Sequence, residues 1–300
     1  MSGFGKIIIL TIIIVLLGLA AYLLLFNKIT DINREFDFSS LNLHTEKQYA
    51  DTVYIGVISR YSPEKIYEGY QPIMDFLSRK SEYLFELKLS SSYKQTISQL
   101  EKGKVTAAFL GTYLFFTNLK GDNLRAVLKP LNSDGKPYFH SDLIVRENSN
   151  IKSIKDLKGK RLALPSQLAF SGNWLQKVEF KKAGLKISDF KEVKHFRYHN
   201  SVVKQILMGN FDAGVVKDRV ANEFLKKGIR VVLSSDPIPG SPIVVSKRSD
   251  KKKVSTIINI LLNVKKDSIP DNWDSEFSNG FVEAKNEDYL KIKSIITGRK

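Results

Sequence analysis

The 300-residue chain contains no cysteine. Disulfide staples, thiolate zinc sites, a cysteine nucleophile and lipid attachment at an N-terminal cysteine are therefore excluded. The same absence neither requires an oxidising compartment nor conflicts with one. Histidine is scarce, at four residues. The chain has no G-x-S-x-G elbow, no H-E-x-x-H pair and no phosphate-binding loop, and no paired carboxylates suited to a cleft. It reads as a non-enzyme without a cofactor. Acidic residues are also in short supply, 31 against 47 Lys and Arg, for a net charge of +16. Such a surplus suits nucleic acid, an anionic membrane surface or an anionic ligand. The lysines are scattered along the chain, however, with one tight cluster at Lys247-Arg248 and Lys251-Lys252-Lys253, and no basic–aromatic run occurs. A generally basic, solvated surface is expected, with no nucleic-acid partner.

Long uninterrupted apolar sequence is confined to one place, residues 7–26, between Lys6 and Lys28. Twenty residues at 1.5 Å rise match a hydrocarbon core roughly 30 Å thick. The run exceeds the usual apolar stretch of a cleavable signal and ends in Tyr22-Leu23-Leu24-Leu25-Phe26, a poor place to cut. An uncleaved single-pass anchor is expected over residues 1–28, followed by a stalk over 29–51. A very short N-terminal tail stays cytoplasmic, which places the body on the periplasmic side of the inner membrane.

Beyond the stalk, strand and helix signals alternate. Val53–Ile58 reads as a buried strand. Ser62-Pro63-Glu64 opens a helix running to about Lys80, with Pro at the first helical position. Leu84–Leu89 is the next strand, Ser90-Ser91-Ser92 caps a helix from Tyr93 to Lys102, and Val105–Leu110 leads through Gly111 into a helix at Thr112. This pace indicates an α/β fold with a parallel sheet. The pattern then repeats. Ile97–Gly111 (ISQLEKGKVTAAFLG) parallels Val203–Lys217 (VKQILMGNFDAGVVK), each an amphipathic helix, a Gly cap, a polar spacer and a small-residue strand. Two such units suggest two lobes, with extended crossings near 138–145 and 232–240 as hinges. Lobe 1 is expected from 52–140 and 238–300, and lobe 2 from 141–237.

Ligands of open α/β sheets bind beyond the strand carboxyl ends, where helix N-termini favour an anion. Ser91-Ser92-Tyr93, Gly111-Thr112-Tyr113, Ser171-Gly172 and Asn200-Ser201 are such positions. Each is also simply a good helix start. Tyr61, Tyr93, Tyr113 and Tyr138 follow strands or turns and could stack on a ligand and donate a hydroxyl. His199 precedes a helix, and Lys217, Asp218 and Arg219 occupy the second lobe's strand end. The candidate ligand contacts are therefore Tyr61, Tyr93, Thr112, Tyr113, Tyr138, Ser171, Gly172, His199 and Arg219.

In order along the chain, Gly56–Glu64, Tyr70-Gln71-Pro72, Ser91–Tyr93, Phe109–Gly111, Asp134–Tyr138, Ile154–Lys160, His199, Asp212–Gly214 and Ile238–Val244 resemble one family. It is that of the PhnD-like phosphate/phosphite/phosphonate ABC-transporter substrate-binding proteins, with the type 2 periplasmic-binding-protein fold. The resemblance spans about 53–290. It implies a two-lobed binding protein that closes at its hinge on a small oxyanion for a membrane permease. The alternative is a tethered sensor or assembly protein using a degenerate cleft. Family contacts to the oxyanion match Tyr93 and His199. The family's Ser-Thr-Ser-Gly helix start reads Ala169-Phe170-Ser171-Gly172 here, so only Ser171 and Gly172 remain. A second family tyrosine falls at Phe139, and two ammonium-binding acids fall at Arg219 and Ser241. An aminoalkylphosphonate is thus a poor candidate, while Arg219 would add positive charge for another anion. If the His199 imidazolium were the binding form, affinity would vary between about pH 5 and 8.

Overall fold

The computed structural model describes residues 17–22, 48–119 and 123–297. The short stretch 17–22 is helical, and no helix among the described residues is long and apolar enough to cross a membrane. The anchor expected over 1–28, with its apolar span at 7–26, and the stalk expected over 29–51 lie outside the described residues except at 17–22 and 48–51.

From residue 49 the chain forms one unit built on two sheets. The first begins with β1 (Asp51–Val57), β2 (Tyr83–Leu89), β3 (Ala107–Phe109) and β4 (Leu124–Pro130). A two-residue strand β5 (Tyr138–Phe139) leads to the second sheet: β6 (Ser141–Arg146), β7 (Arg161–Leu164), β8 (Glu192–His195), β9 (Ala213–Lys217) and β10 (Ile229–Ser234). The chain returns through β11 (Ile238–Pro239) and ends with β12 (Ile243–Ser246), β13 (Phe281–Glu283) and the helix Asn286–Thr297. The sheet orders are β13-β4-β12-β3-β1-β2 and β10-β6-β9-β7-β8. The expected helix over 63–80 is present as Pro63–Lys80, burying Ile66, Tyr70, Ile73, Met74 and Leu77 on the stripe that a 3.6-residue period dictates.

The expected parallel sheet is mixed. β2, β1 and β3 are parallel, as are β8, β7 and β9. The two strands that follow the crossings, β6 and β12, run antiparallel to β9 and β3. A chain entering a sheet from a crossing arrives at the end where the βαβ strands finish, so it must run against them. The crossings themselves pair as an antiparallel ribbon, Ile238 opposite Phe139 and Pro239 opposite Tyr138. Two adjacent strands carrying the chain between sheets are the geometry of a hinge.

The repeat is visible at atomic detail. Gly103 and Gly209 have φ of +68° and +76°. Gly103 N donates to Leu100 O and Lys104 N to Gln99 O, while Gly209 N donates to Ile206 O and Asn210 N to Gln205 O. These are paired Schellman closures, which need the left-handed region that glycine enters freely. Each delivers the chain into the strand, β3 or β9, that ends at the cleft.

One strand residue is costly. Asp142 on β6 is 4% exposed, and its Oδ1 has no hydrogen-bond partner. Burial pushes its carboxyl up to about 6. A raised carboxyl favours the fold below its unfolded value and loses that contribution as pH rises through 6, so ionisation of Asp142 opposes folding at neutral pH. Asp142→Asn should therefore stabilise by about 2 kcal/mol at pH 8, raising the melting temperature by roughly 5 °C, with little gain at pH 4.5. Equal shifts at both pH values would show that the charge is not the cause.

Candidate functional site

Helix starts from both sheets converge on a cavity of about 30 Å³. Tyr93 and Thr112 open helices that follow β2 and β3, and Ser171 and His199 open helices that follow β7 and β8. All four line this cavity, with Ile58, Arg60, Gly111, Phe139, Ala169, Phe170, Lys217 and Ser241. The volume suits about one or two waters. Thr112 Oγ1 donates to Pro239 O at 2.7 Å, tying a cleft residue to the hinge, and the Ser171 and Ser141 hydroxyls lie 2.6 Å apart. Phe139 and Phe170 meet edge-to-face at 6.4 Å and fill space beside them.

Gly172 does not line the cavity; it lets the helix start seat under its preceding loop. A Cβ there would lie 2.2 Å from Ser166 O and 2.8 Å from Pro165 O, which only glycine avoids.

His199 is 6% exposed, and its Nδ1 accepts from Lys217 N at 3.2 Å. That bond leaves the proton on Nε2, making it a donor. Burial, reinforced by the charges of Arg60, Lys217 and Arg219, lowers its pKa to about 3. At neutral pH His199 is therefore a neutral imidazole and not an imidazolium. Its neutrality favours the fold above the ordinary histidine value and is opposed as pH falls toward 3. Tyr93 is likewise held neutral, its hydroxyl pushed up by burial.

A bridge of charges spans the two sheets next to this cavity. Arg60, following β1, places Nη2 2.6 Å from Glu276 Oε2, and Lys217, ending β9, places Nζ 2.6 Å from Glu276 Oε1. Arg60 also donates to Ser241 Oγ at 3.1 Å and to the Tyr70 hydroxyl. All three charged residues are below a tenth exposed. Burial opposes ionisation of Glu276, yet Arg60, Lys217 and Arg219 hold its carboxyl far below the usual carboxylate range. Glu276 sits between the core anchors Trp273 and Phe277, and its backbone N donates to Asp274 Oδ1 at 2.8 Å.

Four other candidates stand outside the small cavity. Tyr61 accepts from Arg219 Nη2 at 2.5 Å. Arg219 also pairs with Asp274 and Glu223, so its charge is already met within the chain rather than presented to an anion. Tyr113 packs in the core and accepts from Lys177 Nζ at 2.7 Å. Tyr138 and Arg219 line a second cavity of about 360 Å³, shared with Asp134, His140, Asp218 and Glu276. Phe139 and Lys217 line both cavities and stand between them. Among the described residues no group of three or more His, Asp or Glu is placed to hold a metal ion.

Reasoning from the sequence passed over Arg60 and Glu276. Arg60 carried a signal, being a charged residue at the carboxyl end of an apolar strand. Glu276 carried none, since it lies in an aperiodic segment far along the chain.

A two-lobed α/β body, a paired hinge and helix starts converging between the lobes define a periplasmic binding protein. Residues 55–289 match the family model described as ABC transporter, phosphonate, periplasmic substrate-binding protein, and the chain belongs to that family. It is 23% identical over 234 residues to the phosphonates-binding periplasmic protein of Escherichia coli K12, covering 73% of this chain and 68% of that one. Its fold is similar to a binding protein component of an ABC phosphonate transporter from Pseudomonas aeruginosa, with TM-score 0.72, 16% identity and coverage of 82% and 85%. It is also similar to a Prochlorococcus marinus protein solved with methylphosphonate, with TM-score 0.69, 16% identity and coverage of 81% and 96%.

Proposed function

We propose that this periplasmic binding protein captures a small oxyanion, of phosphonate, phosphite or phosphate type, between its lobes for an ABC permease. The observation carrying this is the convergence of Tyr93, Thr112, Ser171 and His199, from helix starts on both sheets, with Arg60 and Lys217 alongside. The Tyr93 and Ser171 hydroxyls and the His199 imidazole suit oxygen acceptors on such a group, the Thr112 proton being given to Pro239 O, and the neutral His199 donates without adding charge. Lobe 1 comprises 52–140 and 238–300 and lobe 2 comprises 141–237, closing about β5 and β11. Residues 7–26 tether the body to the inner membrane, keeping it at high effective concentration near its permease. Arg219 in place of an acid and its pairing with Asp274 disfavour an aminoalkylphosphonate.

Native mass spectrometry of protein purified without added solute tests the reading, followed by calorimetry on variants. Tyr93→Phe should lose about 1–3 kcal/mol of oxyanion affinity, the upper end for a charged acceptor, and His199→Ala at least as much. Affinity should stay flat between pH 5 and 8 as far as His199 is concerned, because its pKa of about 3 lies below that window. Unchanged affinity in both variants, with intact melting, would place the working site elsewhere. The smallness of the cavity and the internal pairing of its cations favour one second reading, a tethered sensor or assembly protein contacting a membrane partner.

A further inference from the structure

The cations best placed to meet an oxyanion are already met by a carboxylate of the same chain. Arg60 and Lys217 line the small cavity from opposite sheets, and Glu276 binds both at 2.6 Å from the side of the larger cavity. Two further observations bear on these pairs, the first shared by Arg219, whose Nε is likewise buried without a partner. Arg60 Nε is buried and has no hydrogen-bond partner, so the guanidinium holds an unspent donor beside the small cavity. Glu276 already lines the 360 Å³ cavity, which leaves room for its side chain to turn away while Trp273 and Phe277 hold its backbone.

We propose that Glu276 is an internal counter-anion of the cleft, occupying Arg60 and Lys217 until the anionic group of the captured solute displaces it. This rests on the oxyanion-capture reading above. The empty protein avoids leaving two buried cations unpaired, which would be strongly unfavourable. A solute then exchanges one anion for another instead of neutralising free charge, so capture is weaker than the same pocket would give without Glu276. The bridge also links the sheets in the solute-free protein, because Arg60 follows β1 whereas Lys217 ends β9.

The test uses the full-length chain in detergent at pH 7.5, with methylphosphonate and inorganic phosphate as probes. Glu276→Gln keeps the side chain's size and removes its charge. It should bind at least one probe 10-fold or more tighter than wild type by calorimetry. Glu276→Asp, which keeps the charge but is too short to span both cations, should gain about threefold. Without phosphate, Glu276→Gln should melt below wild type, and added phosphate should raise its melting temperature more than it raises that of wild type. If Glu276→Gln melts cooperatively but binds neither probe more tightly, the counter-anion is overturned. Measurable wild-type binding would then leave the oxyanion reading standing, whereas no binding by either protein would remove both. Should Glu276→Gln not fold in chloride buffer, refolding in phosphate decides: a recovered cooperative transition supports the proposal, and no recovery overturns it. A purely structural ion pair would lower the melting temperature without creating affinity for an anion.

Discussion

Arg60→Met should lower the melting temperature by roughly 10 °C, the largest loss expected from a single change of similar volume. Arg60 is 6% exposed and supplies bonds to Glu276, Tyr70 and Ser241. Removing it leaves Glu276 buried with one cation where two had balanced it, and leaves a phenol and a serine hydroxyl short of a partner. Breaking one side of a buried ion pair costs about 3–5 kcal/mol, because the other charge keeps its desolvation penalty. In a body of this size about 1 kcal/mol moves the midpoint by 2–4 °C. The pH dependence should change as well. A carboxyl held below its ordinary range contributes stability that is present above its unfolded value and lost as pH falls. Wild type should thus weaken on acidification below about pH 4.5, and Arg60→Met should weaken less steeply there because Glu276 is less depressed. Urea midpoints from pH 3 to 7 measure both effects. A variant melting within 2 °C of wild type would show that the bridge adds little to the fold.

Gly172→Ala should be nearly as damaging, for a steric reason. The added methyl would sit 2.2 Å from Ser166 O and 2.8 Å from Pro165 O. Both are backbone atoms, so no rotamer change relieves the overlap, and either the loop or the helix start must move. The loop is itself fastened: Asn173 Nδ2 donates to Gln167 O and Ala169 O, and Ala169 N donates to Ser166 O. Overpacking of this kind typically costs 1–3 kcal/mol, and contact with fastened backbone puts the expected loss near 3 kcal/mol. The displacement would also carry Ser171 away from the 2.6 Å contact with Ser141 and from the cavity it lines. Calorimetry with methylphosphonate should show affinity at least 10-fold below wild type even where the variant folds at low temperature. Wild-type affinity in Gly172→Ala would mean that this helix start does not shape the site.

The sequence by itself determined those features whose cause is local. Apolar spacing and Pro63 specify the helix Pro63–Lys80, because face and first turn are written within eighteen consecutive residues. The twin Gly103 and Gly209 closures follow from glycine's access to positive φ, and with them the approach of β3 and β9 to the cleft. Tyr93, Thr112, Ser171 and His199 were legible as candidate contacts because strand-to-helix transitions mark themselves by N-terminal residue types and by family motifs. Tertiary structure decided how these positions are used. The direction of β6 and β12 depends on where the crossings enter each sheet, which strand composition does not record. Tyr113 and Tyr138 look alike along the chain, yet one is packed against Lys177 and the other faces the larger cavity. Arg219 is a cation in sequence and an ion-pair partner of Glu223 and Asp274 in space. Glu276 lies 216 residues from Arg60 and 59 from Lys217, in a segment without periodicity, so nothing local brings them together. Charge balance in a buried cleft is a property of distances between side chains, and those distances exist only once both sheets are folded against each other.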